Sequence, residues 1–185
     1  MEIAIGISGA TGAIYGIRTL EVLSRLGVQT HLILSEAAKQ TIELETSYTL
    51  REIEELAAEV HDIRQIGASI ASGSFKIQGM IIAPCSIKSL SAIANSYNEN
   101  LLIRAADVML KEKRKLVLIV RETPLHAGHL KLMLTVAENG GVILPPMPAF
   151  YHRPQTIDDI INQTVGKALD QFDIQHDLFP RWSGL

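Results

Sequence analysis

The chain is poor in several residue types, and each shortage removes a class of function. A single cysteine, Cys85, among 185 residues excludes an internal disulfide framework and any zinc site built on thiolates. Charged residues make up 20% of the sequence, below the ~25% usual for soluble chains. The net charge is only −3, so no excess of one sign marks a nucleic-acid or membrane surface. Apolar runs are frequent but short, and none approaches the ~18 residues that a membrane span requires. The first residues lack a basic stretch followed by an apolar one, so the expected compartment is the cytoplasm. Repeats, low-complexity tracts and long linkers are also missing.

What the chain does have is apolar content. Hydrophobic residues reach 47% and mean hydropathy is +0.19. A chain of this length is expected to form one domain, residues 1–185, around a real core. A buried parallel sheet accounts for part of the excess. The remainder is expected to be covered by further copies of the chain, as a homo-oligomer.

Strand-length apolar runs alternate with helix-period segments. Residues 2–8 read as a strand and 12–26 as a helix, with Ile14, Ile17, Leu20 and Leu23 on one face and a stop at Gly27. A strand over 28–34 follows, then a helix over 36–45 capped by Ser35. Thr49 with Glu52 forms a capping box for a short helix over 50–58. The Gly- and Ser-rich stretch 59–78 reads as a loop. A buried strand over 79–83 is expected to end at Pro84, and Ser86 to cap a helix reaching about Asn95. Leu102, Ala105, Ala106, Met109 and Leu110 mark another helix face. A strand at 115–120, a helix at 127–138, a strand at 141–144 and a helix from Thr156 to about Phe172 complete the order. This alternation predicts an α/β, Rossmann-like (flavodoxin-like) parallel sheet with helices on both faces. Ligands on such sheets bind at the carboxyl ends of the strands. Here those ends are Ser8–Gly12, Ser35, Pro84–Ser89 and Arg121–Pro124.

The loop Gly6-Ile7-Ser8-Gly9-Ala10-Thr11-Gly12 can bring backbone N–H groups to a phosphate at a helix start. It is neither a dinucleotide fingerprint nor a Walker loop, and read alone it fits an ordinary tight β–α turn equally well. Ser86 and Ser89 place hydroxyls beside free amides at another helix start, where plain capping is the simpler reading. Cys85 is expected to be a small core residue. Arg104 and Lys111 share a helix face with Asp107 between them, which reads as an ion-pair row. Arg121 and Glu122 follow directly on an apolar strand, a more informative position. His126 and His129 have no acidic or thiolate partner at ligand spacing, so no metal is expected there. The proline-rich stretch 145–154 is a stiff arm that carries Tyr151 and His152 outward, fit to reach a neighbouring subunit or cover a pocket.

Taken in order, the strings GISGATGAIYGIR, LILSEAA, ELET, ASGS, APCSIKSLSAIA, NLLIRAADVMLKEKRKLVLIVRETPLH, GGVILPPMPAFYHRPQ and LFPRW resemble the UbiX-type flavin prenyltransferases. These stand within a wider group of homo-oligomeric flavoproteins that includes cysteine decarboxylases. The resemblance implies a reduced FMN acceptor, a dimethylallyl phosphate donor and no metal. By position it implies FMN contacts from Gly9, Ala10, Thr11, Ser35, Ser86, Ile87, Lys88, Ser89 and Arg121. It implies donor-phosphate contacts from Tyr151 and Lys167, with Lys111 nearby. Thr11, Glu45, Glu122 and Lys111 are its implied catalytic positions, and Arg104 is a weaker candidate. It further implies a dodecamer and a UbiD-type decarboxylase that receives the prenylated flavin. Three departures stand out: Thr11 where many relatives have serine, Ser89 where threonine is usual, and Lys167 where some have arginine, which loses the bidentate fork. Two rival readings remain at this point. One is an FMN-dependent decarboxylase of the cysteine type, whose early catalytic histidine and methionine-asparagine motif have no counterpart here. The other is a flavodoxin-like electron carrier.

Overall fold

The computed structural model describes residues 1–182 and 184. Among these residues six strands form one all-parallel sheet: β1 (Glu2–Ile7), β2 (Gln29–Leu34), β3 (Glu59–His61), β4 (Gly79–Cys85), β5 (Lys115–Val120) and β6 (Val142–Ile143). Their spatial order is β3-β2-β1-β4-β5-β6, so the connection direction reverses between β1 and β4. Seven helices cover the sheet: α1 (Ala13–Arg25), α2 (Glu36–Glu45), α3 (Leu50–Glu54), α4 (Ile87–Ala94), α5 (Leu101–Lys111), α6 (Ala127–Glu138) and α7 (Ile157–Asp170). Among the described residues no helix is long and apolar enough to cross a membrane.

The period-two geometry of the strands divides the core in two. Ile3, Ile5 and Ile7 of β1, with Ile81, Val117 and Ile119, pack beneath α1 and α7. Ala4, Met80, Ile82, Leu116 and Leu118 point the other way, against α4 and α5. Both faces are apolar because both are covered, as the Val/Ile/Leu-rich runs implied.

The helix starts follow local chemistry. Ser35 Oγ accepts from Ala38 N at 3.1 Å and Ser86 Oγ from Ser89 N at 3.2 Å. The expected Thr49–Glu52 capping box is present, and Thr156 with Asp159 forms a second one. Three expectations need correction. The stretch 59–78 contains β3 and a single 3-10 turn at Ser69–Ala71; an exposed three-residue edge strand carries no apolar alternation to reveal it. The helix expected over 50–58 closes after Glu54. The fourth strand runs through Pro84 to Cys85, because a register shift between Ile82 and Cys85 removes the ladder bond that proline cannot donate.

Candidate active site

The chain reversal between β1 and β4 opens a cavity of about 640 Å³ at the carboxyl ends of the strands. Its wall includes Gly9, Ala10 and Thr11 from the loop after β1, Ser35 after β2, Ser86–Ser89 after β4, and Arg121 and Glu122 after β5. All nine residues for which the family resemblance implied cofactor contacts line this cavity.

Local geometry explains why these segments hold together. Gly12 takes φ +96°, which suits glycine, and turns the chain into α1. Gly9 lies so close to α2 that a Cβ on it would stand 2.3 Å from Ala37 Cβ. Ser8 is buried; its hydroxyl donates to Pro84 O at 2.9 Å and accepts from Ser86 N at 2.8 Å. That side chain ties the end of β1 to the end of β4 and so fixes the two loops against each other.

Three helices begin at the cavity. Ser35 and Ser86 cap α2 and α4, and Asn100 Oδ1 caps α5 by accepting from Ile103 N at 3.1 Å. Amides in a first helical turn precede any intrahelical partner, and the dipole there favours an anion. The start of α1 differs: Glu45 Oε2 accepts from Gly12 N at 2.7 Å and from Ala13 N at 3.4 Å. Glu45 therefore supports the glycine loop from outside the cavity, and its carboxylate occupies the α1 amides. The remaining helix-start donors are those of α2, α4 and α5.

Arg121 donates its backbone N–H to Cys85 O at 3.1 Å, which sets the β5 end beside the β4 end. Burial raises the Tyr15 hydroxyl above its ordinary pKa, partly countered by the Arg121 charge. Glu122 is exposed, and Thr123 N donates to its Oε1 at 3.0 Å. The strand before it is buried, but the glutamate itself stands on the rim. Lys88 Nζ reaches Glu99 Oε1 at 3.3 Å, joining the α4 start to the segment before α5. Cys85 is fully buried, its thiol pKa pushed up to about 12 by that burial, so it is no nucleophile at neutral pH.

Lys111, Tyr151 and Lys167 do not line the cavity within one chain. Lys111 ends α5 and contacts Glu112. It stands four residues before β5 while Arg121 stands just after it, so roughly 20 Å of strand separates them. Asp107 pairs with Arg104 at 3.1 Å and not with Lys111, so the ion-pair row expected across all three is only half formed. Lys167 lies on the last turn of α7, with Nζ 3.8 Å from Asp170. The Phe172 ring that follows packs against Gly79, the first residue of β4, so α7 ends at the amino ends of the strands. Tyr151 is half exposed, its ring edge-on to Trp182 at 5.9 Å. Trp182 adjoins Arg181, whose guanidinium holds both Asp170 oxygens at 2.7 Å. Tyr151 and Lys167 thus belong to one neighbourhood, away from the cavity.

Glu36, Ala37, Ile63, Glu99 and Asn100 complete the wall and were not singled out in the sequence. Asn100 had a readable signal, an asparagine directly before an apolar helix face. Ile63 had none, because it lies just past the edge strand that the sequence hid.

The model of the Flavoprotein family matches residues 1–169. The flavin prenyltransferase UbiX of Thauera aromatica is 67% identical over the whole chain and 95% of its own length. Among solved structures, AnUbiX (PadA1) in complex with FMN and dimethylallyl pyrophosphate superposes with a TM-score of 0.98 at 48% identity, covering 100% of this chain and 98% of that one. The dodecameric FMN-dependent UbiX-like decarboxylase from Escherichia coli O157:H7 gives 0.97 at 48% identity, with both chains fully covered. With the cavity at the β1/β4 reversal and this similarity running the length of the chain, the protein belongs to the flavoprotein family and, within it, to the UbiX-type flavin prenyltransferases.

Proposed function

We propose that this chain transfers a dimethylallyl group from dimethylallyl phosphate to N5 and C6 of reduced FMN. The observation that carries the reading is the convergence of nine residues from four separate segments on one cavity of about 640 Å³ lined by helix starts, in a member of this family. A flavin mononucleotide fits that wall. Its phosphate suits the amides and hydroxyls at Ser35 and Ser86–Ser89, and Arg121 supplies the positive charge. Bound flavin contributes the nucleophilic nitrogen and carbon of the reaction. The protein's own part is to position, to stabilise departing phosphate charge and to receive a proton. Glu122, on the rim beside Arg121, is the base that takes the proton released when the second bond forms. Glu45 keeps the Gly9–Gly12 loop in shape through its bonds to Gly12 and Ala13. Thr11 adds a hydroxyl at the wall.

Tyr151, Lys167 and Lys111 take the donor phosphate, and they reach a cavity from neighbouring subunits. Exposed Leu130, Leu134, Met147 and Phe150 support an assembly that covers them, and the relative named as dodecameric sets its expected size. The product is a prenylated flavin for a UbiD-type decarboxylase, made in the cytoplasm. The cysteine-type decarboxylase reading is disfavoured because the chain's first histidine, His31, stands three residues before the end of β2 and is absent from the cavity wall.

The test is to mix purified protein with reduced FMN and either dimethylallyl phosphate or the pyrophosphate, then weigh the flavin. A gain of one C5H8 unit supports the proposal and identifies the donor. Unmodified FMN with carbon dioxide released from a peptidyl cysteine would replace it with the decarboxylase reading. Reversible FMN reduction and no product would leave an electron carrier.

A further inference from the structure

On the neighbouring strands β2 and β3, three side chains of ligand type stand on one face of the sheet. Parallel register sets His31 opposite Glu59, and His61, two residues on from Glu59, shares its side. His31 Nδ1 lies 3.0 Å from His61 Nε2 and 3.4 Å from Glu59 Oε2. One ligand atom from each of the three falls within 4.8 Å of the others. Both histidines are only 6% exposed, and the edge of Phe75 closes over His31 at 5.4 Å between ring centroids.

The outer ring nitrogens face carboxylates. His31 Nε2 faces Glu2 Oε2 at 3.6 Å and His61 Nδ1 faces Glu59 Oε1 at 3.6 Å. Neither contact is short enough for a hydrogen bond, but a carboxylate opposite each favours the tautomer with its N–H there. Both inner nitrogens, His31 Nδ1 and His61 Nε2, then present lone pairs to each other and to Glu59 Oε2. Three acceptors facing one point repel unless a cation lies between them. A proton shared between the two nitrogens, 3.0 Å apart, joins that pair but leaves Glu59 out. Donor atoms about 2.0–2.2 Å from a tetrahedral zinc stand roughly 3.3 Å apart, close to the two separations found.

We propose that His31, Glu59 and His61 bind a divalent transition-metal ion of the zinc class, outside the active site. Two imidazoles and one carboxylate suit such an ion better than calcium or magnesium. Glu2 on the far nitrogen of His31 orients that ring as carboxylates do behind metal-bound histidines. The fourth position is open to water, since the Glu59 side chain is 56% exposed. The ion would fasten β3, a three-residue edge strand, to β2.

The experiment uses the full oligomeric protein, stripped with a chelator and titrated with Co²⁺ at pH 7.5. The expected result is a saturable visible d–d band at one ion per chain, abolished by stoichiometric Zn²⁺, with thermal stability raised by either ion. His61→Gln should remove the band. Glu59→Gln, at an exposed edge where folding is safe, should weaken Co²⁺ by at least ~10-fold. Flavin binding, measured on the same samples, reports that each variant is folded. His126→Ala with His129→Ala should leave the band intact. No saturable band, or a band lost only in the His126/His129 variant, would overturn the proposal. So would a Co²⁺ affinity in Glu59→Gln equal to that of the parent.

Discussion

The two ends of the sheet are built from opposite materials. At the carboxyl ends, hydroxyls, backbone amides and Arg121 face the cavity from the loops that leave the strands, beside Lys88 and the carboxylates of Glu36, Glu99 and Glu122. At the amino ends stand long cations. Arg25, Lys111 and Lys167 occupy the last turns of α1, α5 and α7. The cause lies in the topology. Helices that connect parallel strands start at the carboxyl edge and finish at the amino edge, so one edge gathers positive dipole ends and the other negative ones. Anions are drawn to the first edge. Cations on the second are already complemented by helix carbonyls, so in one chain their presence is accounted for without a ligand. Only a neighbouring copy would turn Lys111 and Lys167 from dipole partners into phosphate ligands.

The largest expected effect sharpens the role of the carboxyl edge. Glu122→Gln keeps shape and hydrogen bonding but loses the base, so product formation should slow by about 100-fold or more while FMN and donor still bind. Rapid-mixing absorbance of reduced FMN with donor reads this directly. Turnover at the parent rate would leave Glu122 a rim residue and move the proton to Glu45. Next in size, Lys167→Ala tests whether the amino edge serves the reaction. Loss of a charge-assisted hydrogen bond of roughly 1.5–3 kcal/mol should weaken donor binding by about 10- to 100-fold, with FMN affinity unchanged. A donor affinity equal to the parent's would confine Lys167 to its helix.

A smaller change is expected from Ser35→Ala combined with Ser86→Ala. Each cap is worth about 1 kcal/mol, and FMN affinity, followed by flavin fluorescence, should fall by roughly 10-fold. Unchanged affinity would shift the phosphate to other helix starts, with Asn100 the first to try. The smallest effect is a pH dependence at the amino edge. Burial pulls the Asp170 carboxyl upward, but Arg181 and His176 outweigh it and hold it below its usual range. A depressed carboxylate stabilises the fold above its unfolded pKa and stops doing so as pH falls through the folded one. The gap in urea midpoint between the parent and Asp170→Asn should therefore be present at pH 7 and close below about pH 4. A gap independent of pH would mean that Asp170 acts by packing.

Much of this was legible in the order of residues. Strand-length apolar runs, helix-period faces and cap residues gave five of the six described strands and all seven described helices, because each element buries apolar surface. Serines and glycines at strand ends marked the cavity wall, since tight turns and helix starts need those residues for local reasons. Family-wide strings, not spacing, assigned Thr11, Glu45 and Lys167. The edge strand β3 was hidden because it buries almost nothing, and with it went Ile63 and the pairing of His31 with Glu59 and His61.

The sequence by itself determined an α/β architecture on a mostly parallel sheet, helices between the strands, and a buried Cys85 with no assigned chemistry. These follow from local periodicity and from transfer free energy, which act over a few residues. The tertiary structure alone decided that Glu45 would hold the α1 amides, that Ser8 would join β1 to β4 across 76 residues of chain, and that Lys111 and Lys167 would stand away from the cavity. It also decided that two histidines 30 residues apart would share one face. Register between strands fixes those relations, and register is set by the packing of the whole sheet, which no short stretch of sequence records.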